Sequence, residues 1–120
     1  MRGTRILSST GSSWVQSARW PGVTIRDTQV IAVGVNCCDP AEVLPALEAA
    51  VGFTSKPLVA YPNDGSVWEP VTATWHPPRT GPCWPVAAWR RTGARLIGGC
   101  CRIGPARIAD LAAECAGPDI

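Results

Sequence analysis

Three cysteines, Cys37, Cys100 and Cys101, close two short apolar runs of this chain. The first run is Ile31-Ala32-Val33-Gly34-Val35-Asn36-Cys37-Cys38. The second is Leu96-Ile97-Gly98-Gly99-Cys100-Cys101, with Arg102 after it. Both are short and rich in branched side chains, the pattern of strands buried in a parallel sheet. Parallel strands bring their carboxyl ends to one edge of a sheet, so the cysteines can converge there. Three thiolates at one point make a Zn2+ site with a fourth position open. Such a site is too electron-rich to activate water well, but it binds and deprotonates an incoming thiol. A thiolate of that kind attacks an activated methyl group, for instance on a sulfonium.

Strand side chains alternate between faces. For Cys100 and Cys101 both to reach one ion, the backbone must bend where the strand ends. Gly98 and Gly99 relax the local backbone limits and let the chain pass close to a ligand. Gly104-Pro105 opens a helix whose N-terminus can receive an anion such as a carboxylate.

The elements that carry these residues read in order. Residues 29–37 form a strand. Asp39 is a good N-cap and Pro40 suits the first helical position. Val43, Leu44, Leu47 and Val51 share one face of the helix that follows. Pro45 inside it predicts a kink, and Gly52 ends it at the C′ position. Residues 57–61 are a second strand, and Pro62-Asn63-Asp64-Gly65 is a turn by composition. A polar, Pro-rich loop spans residues 66–85 and is too long for a mere connector. A short helix at 86–92 stops at Gly93, and residues 94–100 are a third strand. Ile108, Leu111, Ala112 and Cys115 then make the apolar stripe of a last helix. Residues 1–28 show no clear periodicity and stay an unassigned, irregular N-terminal segment.

This β-α-β-loop-α-β-α order means parallel pairing and right-handed crossovers. The fold class is α/β: a partial (β/α)8 TIM barrel holding about the last three β/α units. In such barrels the site lies at the carboxyl ends of the strands, where both cysteine clusters fall.

Composition bounds the rest. The chain has 120 residues, 46% of them apolar and 17% charged, which fits one folded domain. A net charge of +2 gives no electrostatic footprint for nucleic acid or a membrane surface. No apolar stretch approaches the ~18 residues of a membrane span. Residues 1–11 lack the apolar core of a secretory signal. With no such signal, the six cysteines read as reduced thiols with some metal ligation rather than a disulfide framework, and the expected compartment is the cytoplasm.

Several residues have plainer readings. Cys100 and Cys101 can serve as small buried apolar groups. Cys38 reads as core, and Cys83 and Cys115 as structural or exposed thiols. His76, beside two prolines, reads as exposed. Asn36 either orients Cys37 or holds its strand end. Trp75 either packs the long loop or lines a donor pocket. Asn63 either faces substrate or satisfies turn backbone. Arg102 either pairs with a substrate carboxylate or makes a surface ion pair.

Gly34-Val35-Asn36-Cys37, then Tyr61-Pro62-Asn63-Asp64-Gly65, then Trp75, then Gly93-Ala94-Arg95-Leu96-Ile97-Gly98-Gly99-Cys100-Cys101 resembles the carboxyl-terminal part of the homocysteine S-methyltransferases. The likeness covers about residues 29–116. The Tyr-Pro-Asn turn resembles the branch that uses S-methylmethionine or S-adenosylmethionine. The resemblance implies a zinc-dependent barrel that binds homocysteine through its sulfur and methylates it to methionine. The family's three zinc cysteines match Cys37, Cys100 and Cys101. Residues 29–120 are then the C-terminal part of a homocysteine-binding barrel domain. Two departures stand out. The barrel's earlier strands have no counterpart here. Arg102-Ile103-Gly104-Pro105 stands where relatives have Arg-Thr-Thr-Pro, so the last helix loses its hydroxyl N-cap. The alternative to an enzyme is a catalytically inactive truncated remnant, or a subunit needing a partner chain or self-association to cover its sheet edges.

Overall fold

A computed structural model describes the backbone of residues 5–9 and the whole of residues 28–78 and 83–117. The sheet strands are β1 (Arg5–Ser9), β2 (Val30–Asn36), β3 (Leu58–Tyr61) and β6 (Ala94–Ile97). They pair in the order β1-β2-β3-β6, and every pairing is parallel. Helix α1 (Pro40–Val51) links β2 to β3, α2 (Val86–Thr92) precedes β6, and α3 (Pro105–Cys115) follows it. Strands β4 (Val67–Glu69) and β5 (Thr74–His76) make a separate antiparallel hairpin.

The β-branched run of β2 forms the centre. Val30, Val33 and Val35 are buried against Leu58 and Ala60 of β3 and Ala94 of β6. Val43, Ala46, Leu47 and Ala50 of α1 close over them, at the i, i+3, i+4, i+7 spacing of one helix face. Burying a Val or Leu contributes roughly 1.5–3 kcal/mol, so this layer is the main support of the sheet. Trp84 and Trp89 stack with centroids 5.5 Å apart and seal the α2 side. Gly34 pairs with Val59, and an added Cβ there would overlap the Val59 carbonyl. That position therefore needs glycine to let β2 and β3 lie together.

Helix α1 begins as its sequence dictates: the Asp39 carboxylate accepts the Ala41 N–H at 2.8 Å, with Pro40 in the first turn. Its buried face is rotated from the expected one. Val51 is exposed and Leu44 only half-buried, while Ala46 and Ala50 face the sheet. Small side chains there let the helix sit close, a tertiary effect that outweighs side-chain hydrophobicity. The helix runs through exposed Pro45 unbroken, and Gly52 keeps right-handed backbone (φ −68°), so no left-handed C′ residue ends it.

Three further expectations change. Residues 5–9 form β1 beside β2, although 1–28 showed no periodicity. Pairing along an existing strand supplies order that a five-residue segment cannot encode alone. Residues 1–4 and 10–27 of that stretch lie outside the described residues. The third strand ends at Ile97 rather than at Cys100, and residues 98–100 continue beside the end of β3 through the Gly98 and Cys100 amides before the chain turns. The long loop holds the β4–β5 hairpin, fixed by the cross-strand pair Trp68–Trp75 at 5.3 Å.

Candidate metal centre

The sheet's carboxyl end gathers the three predicted sulfurs. Cys37, Cys100 and Cys101 place their Sγ atoms within 4.8 Å of one another. Cys37 and Cys101 are 3.8 Å apart, and Cys100 and Cys101 are 4.0 Å apart. Tetrahedral zinc with bonds of about 2.3 Å sets its sulfurs about 3.8 Å apart, so the spacing suits such an ion. Among the described residues no other His, Cys, Asp or Glu cluster has this form. Cys37 and Cys100 are half-buried and Cys101 is exposed, which leaves one side of the trio open.

Local backbone brings the sulfurs together. Cys37 takes a left-handed conformation (φ 55°) at the end of β2, which breaks strand alternation. After β6, residues 100–103 form a turn closed by the Ile103 N–H on the Cys100 carbonyl at 3.3 Å, with Arg102 left-handed (φ 64°). A left-handed residue at the third position is what a type II turn requires. The bend expected from glycine is thus made at Cys37 and Arg102. Gly98 and Gly99 serve close packing instead: an added Cβ would strike the Tyr61 ring at one and Ile103 at the other.

The segment after β3 joins the two halves. Cys37 N–H donates to the Tyr61 carbonyl (3.0 Å) and Cys100 N–H to the Pro62 carbonyl (2.8 Å). Asn63 N–H donates to the Cys38 carbonyl (2.8 Å), and Asp64 N–H to the Cys101 carbonyl (3.2 Å). The Asn63 side-chain oxygen accepts the Cys101 N–H at 2.9 Å.

Arg102 lies at the same edge. Its guanidinium sits 4.7 Å from the Trp75 ring centroid and 3.5 Å from the Asp64 carboxylate, which also accepts from the Ser66 N–H and hydroxyl. Asn36 Oδ1 is buried without a hydrogen-bond partner among the described residues. Cys38 is buried in the core, Cys83 is exposed, Cys115 is half-buried, and His76 is exposed on β5. Sequence reasoning missed Asp64 and the hairpin's hold on Arg102. The signal available was the acidic residue placed directly after Asn63 in the turn.

The Cys100 thiol is not pre-ionised. Burial, then hydrogen bonding and repulsion from the neighbouring sulfurs, push the Cys100 thiol up to about 11 from 9.0. A bound cation must displace protons, so occupancy is linked to pH. The three side chains therefore fit a soft divalent metal in number, type and spacing.

The chain has relatives among known proteins. A family model described as homocysteine S-methyltransferase matches residues 8–115. The chain is 45% identical over 90 residues to a homocysteine S-methyltransferase of Escherichia coli, covering 72% of this chain and 29% of that protein. It is 42% identical over 88 residues to homocysteine S-methyltransferase YbgG of Bacillus subtilis, covering 71% of this chain and 28% of the relative. The crystal structure of the E. coli homocysteine methyltransferase MmuM in its metallated form superposes with a TM-score of 0.53 at 39% identity, over 72% of this chain and 25% of that one. The chain thus spans less than a third of the curated relatives it matches. Over that span, in sequence and in fold, it belongs to the homocysteine S-methyltransferase family.

Proposed function

We propose that this chain carries the metal-holding end of a zinc-dependent homocysteine S-methyltransferase, built on about the last three β/α units of a (β/α)8 barrel. The observation that carries the reading is the convergence of the Cys37, Cys100 and Cys101 sulfurs. These three residues would hold the ion. Zinc bound there would favour the thiolate of an incoming homocysteine. The homocysteine sulfur then forms a bond to the methyl carbon of a sulfonium donor, S-methylmethionine or S-adenosylmethionine. The donor's sulfur–methyl bond breaks, its electron pair stays on the donor sulfur, and the thiol proton passes to solvent. The products are methionine and a neutral thioether.

This chain's own residues shape the approach. Arg102, stacked on Trp75, is the group to meet the substrate carboxylate, in competition with Asp64. The Asn63 oxygen is engaged by the Cys101 amide, which leaves its NH2 group for the substrate. Thiolate chemistry of this kind belongs in a reducing compartment such as the cytoplasm. The purified chain should bind one zinc and, with homocysteine and a sulfonium donor, make methionine. Zinc binding without methionine would remove catalysis from the chain on its own.

A second reading is a non-catalytic remnant or a subunit that needs a partner chain. It is favoured by the outer side of β6. Leu96 and Ile108 are exposed, and a depression of about 370 Å³ opens between Ala94, Ile97, Ile108 and Leu111. Size-exclusion chromatography tests it: a folded, inert assembly supports this reading, and an active monomer refutes it.

A further inference from the structure

The geometry points to Asn63 as a positioning residue that sets the spacing of the cysteine trio through the Cys101 amide. This rests on the metal-holding role proposed above. The sulfurs come from the ends of β2 and β6, which are not neighbours, since β3 lies between them. Among the described residues, the hydrogen bonds that tie the two ends together pass through Tyr61, the last residue of β3, and Pro62, Asn63 and Asp64 after it. Five hydrogen bonds do so. Tyr61 and Pro62 carbonyls receive the Cys37 and Cys100 amides, and the Asn63 and Asp64 amides reach the Cys38 and Cys101 carbonyls. Four of these are backbone bonds that any residue but proline could donate. The fifth, Cys101 N–H to Asn63 Oδ1 at 2.9 Å, is the only one a side chain supplies.

That bond also falls where backbone restraint is most needed. Cys101 is exposed and precedes left-handed Arg102, yet its sulfur is the one within 4.0 Å of both others. Without the acceptor, the Cys101 amide has no other hydrogen-bond partner among the described residues, and the turn holds its sulfur less firmly. Groups that orient metal ligands in this way typically change metal affinity 10–100-fold when removed.

The test compares wild type with Asn63→Leu, which keeps the volume and removes the acceptor, and Asn63→Asp, which keeps the acceptor. Zinc affinity is read by chelator competition on the 120-residue chain. Asn63→Leu should bind 10–100-fold more weakly, and Asn63→Asp should stay within a few-fold of wild type. A second readout needs no metal: diamide should form the Cys37–Cys101 disulfide readily in wild type and Asn63→Asp, and severalfold more slowly in Asn63→Leu. Circular dichroism checks folding, and Asn63→Ala replaces the Leu variant if that one does not fold. Equal affinity and equal disulfide rates across the set overturn the inference, as does an Asp variant as impaired as the Leu variant. A shift in homocysteine KM alone, with zinc affinity unchanged, returns Asn63 to substrate contact. Wild type that holds no zinc but shows the Asn63-dependent disulfide rates sinks the proposed function and leaves the positioning role standing.

Discussion

The two cysteine-bearing strand ends reach the same point by different means. At the end of β2 the instructions are local: Cys37 turns left-handed, Asp39 caps the next helix with its own side chain, and Pro40 starts it. At the end of β6 they are borrowed. Arg102 makes the turn, Gly104 begins α3 with no side-chain cap, and the Cys101 amide is held by Asn63, 38 positions away. Both ends lean on the segment after β3 through backbone bonds, but only the β6 end also takes a side chain from it.

The largest effect that bears on this contrast is loss of a ligand. Cys37→Ser and Cys101→Ser should each weaken zinc binding by more than the roughly 100-fold upper range of a supporting group. Chelator competition checks it, and a variant that keeps full affinity breaks the convergence of the two ends.

Next comes pH, read first at Cys38, the buried neighbour of the trio. Burial, then the nearby carboxylates of Glu42 and Asp39, push its thiol up to about 12 from 9.0. The protonated form is favoured in the fold. The contribution is therefore complete below pH 9.0 and is lost as pH rises toward about 12. Urea unfolding of the metal-free chain should show stability falling across that window. Cys38→Ala should reduce the fall, with Cys100 retaining part of it in the same direction.

Smaller effects compare the two helix starts. Asp39→Ala should lower stability by about 1 kcal/mol in thermal or urea unfolding. Gly104→Ser should raise it by a few tenths of a kcal/mol. Gly104 already has extended backbone, and nothing lies within 4 Å of an added Cβ. If both changes are neutral, the contrast between a capped and an uncapped junction has no energetic content.

Much of the arrangement was legible from residue order. The branched runs marked β2, β3 and β6, Asp39-Pro40 marked the start of α1, and the cysteine positions marked where three sulfurs converge. What escaped was set by tertiary contact. Strand β1 is ordered by β2, not by its own composition. The buried face of α1 is chosen by how near alanine lets it approach the sheet. The Trp68–Trp75 hairpin carries no alternation because its residues face solvent on both sides. The bend after β6 was foreseen, but not its location at an arginine, since a left-handed non-glycine residue leaves no trace in sequence.

The distance along the chain between the converging sulfurs has a thermodynamic consequence. Cys37 and Cys101 are 64 positions apart. A cation that grips both closes a long loop, as a reversible cross-link present only in the folded molecule. At a free concentration 100 times its dissociation constant, such a ligand adds about 2.7 kcal/mol to folding. If the proposed site takes up such a cation, the melting temperature of this chain would gauge how much metal its surroundings supply.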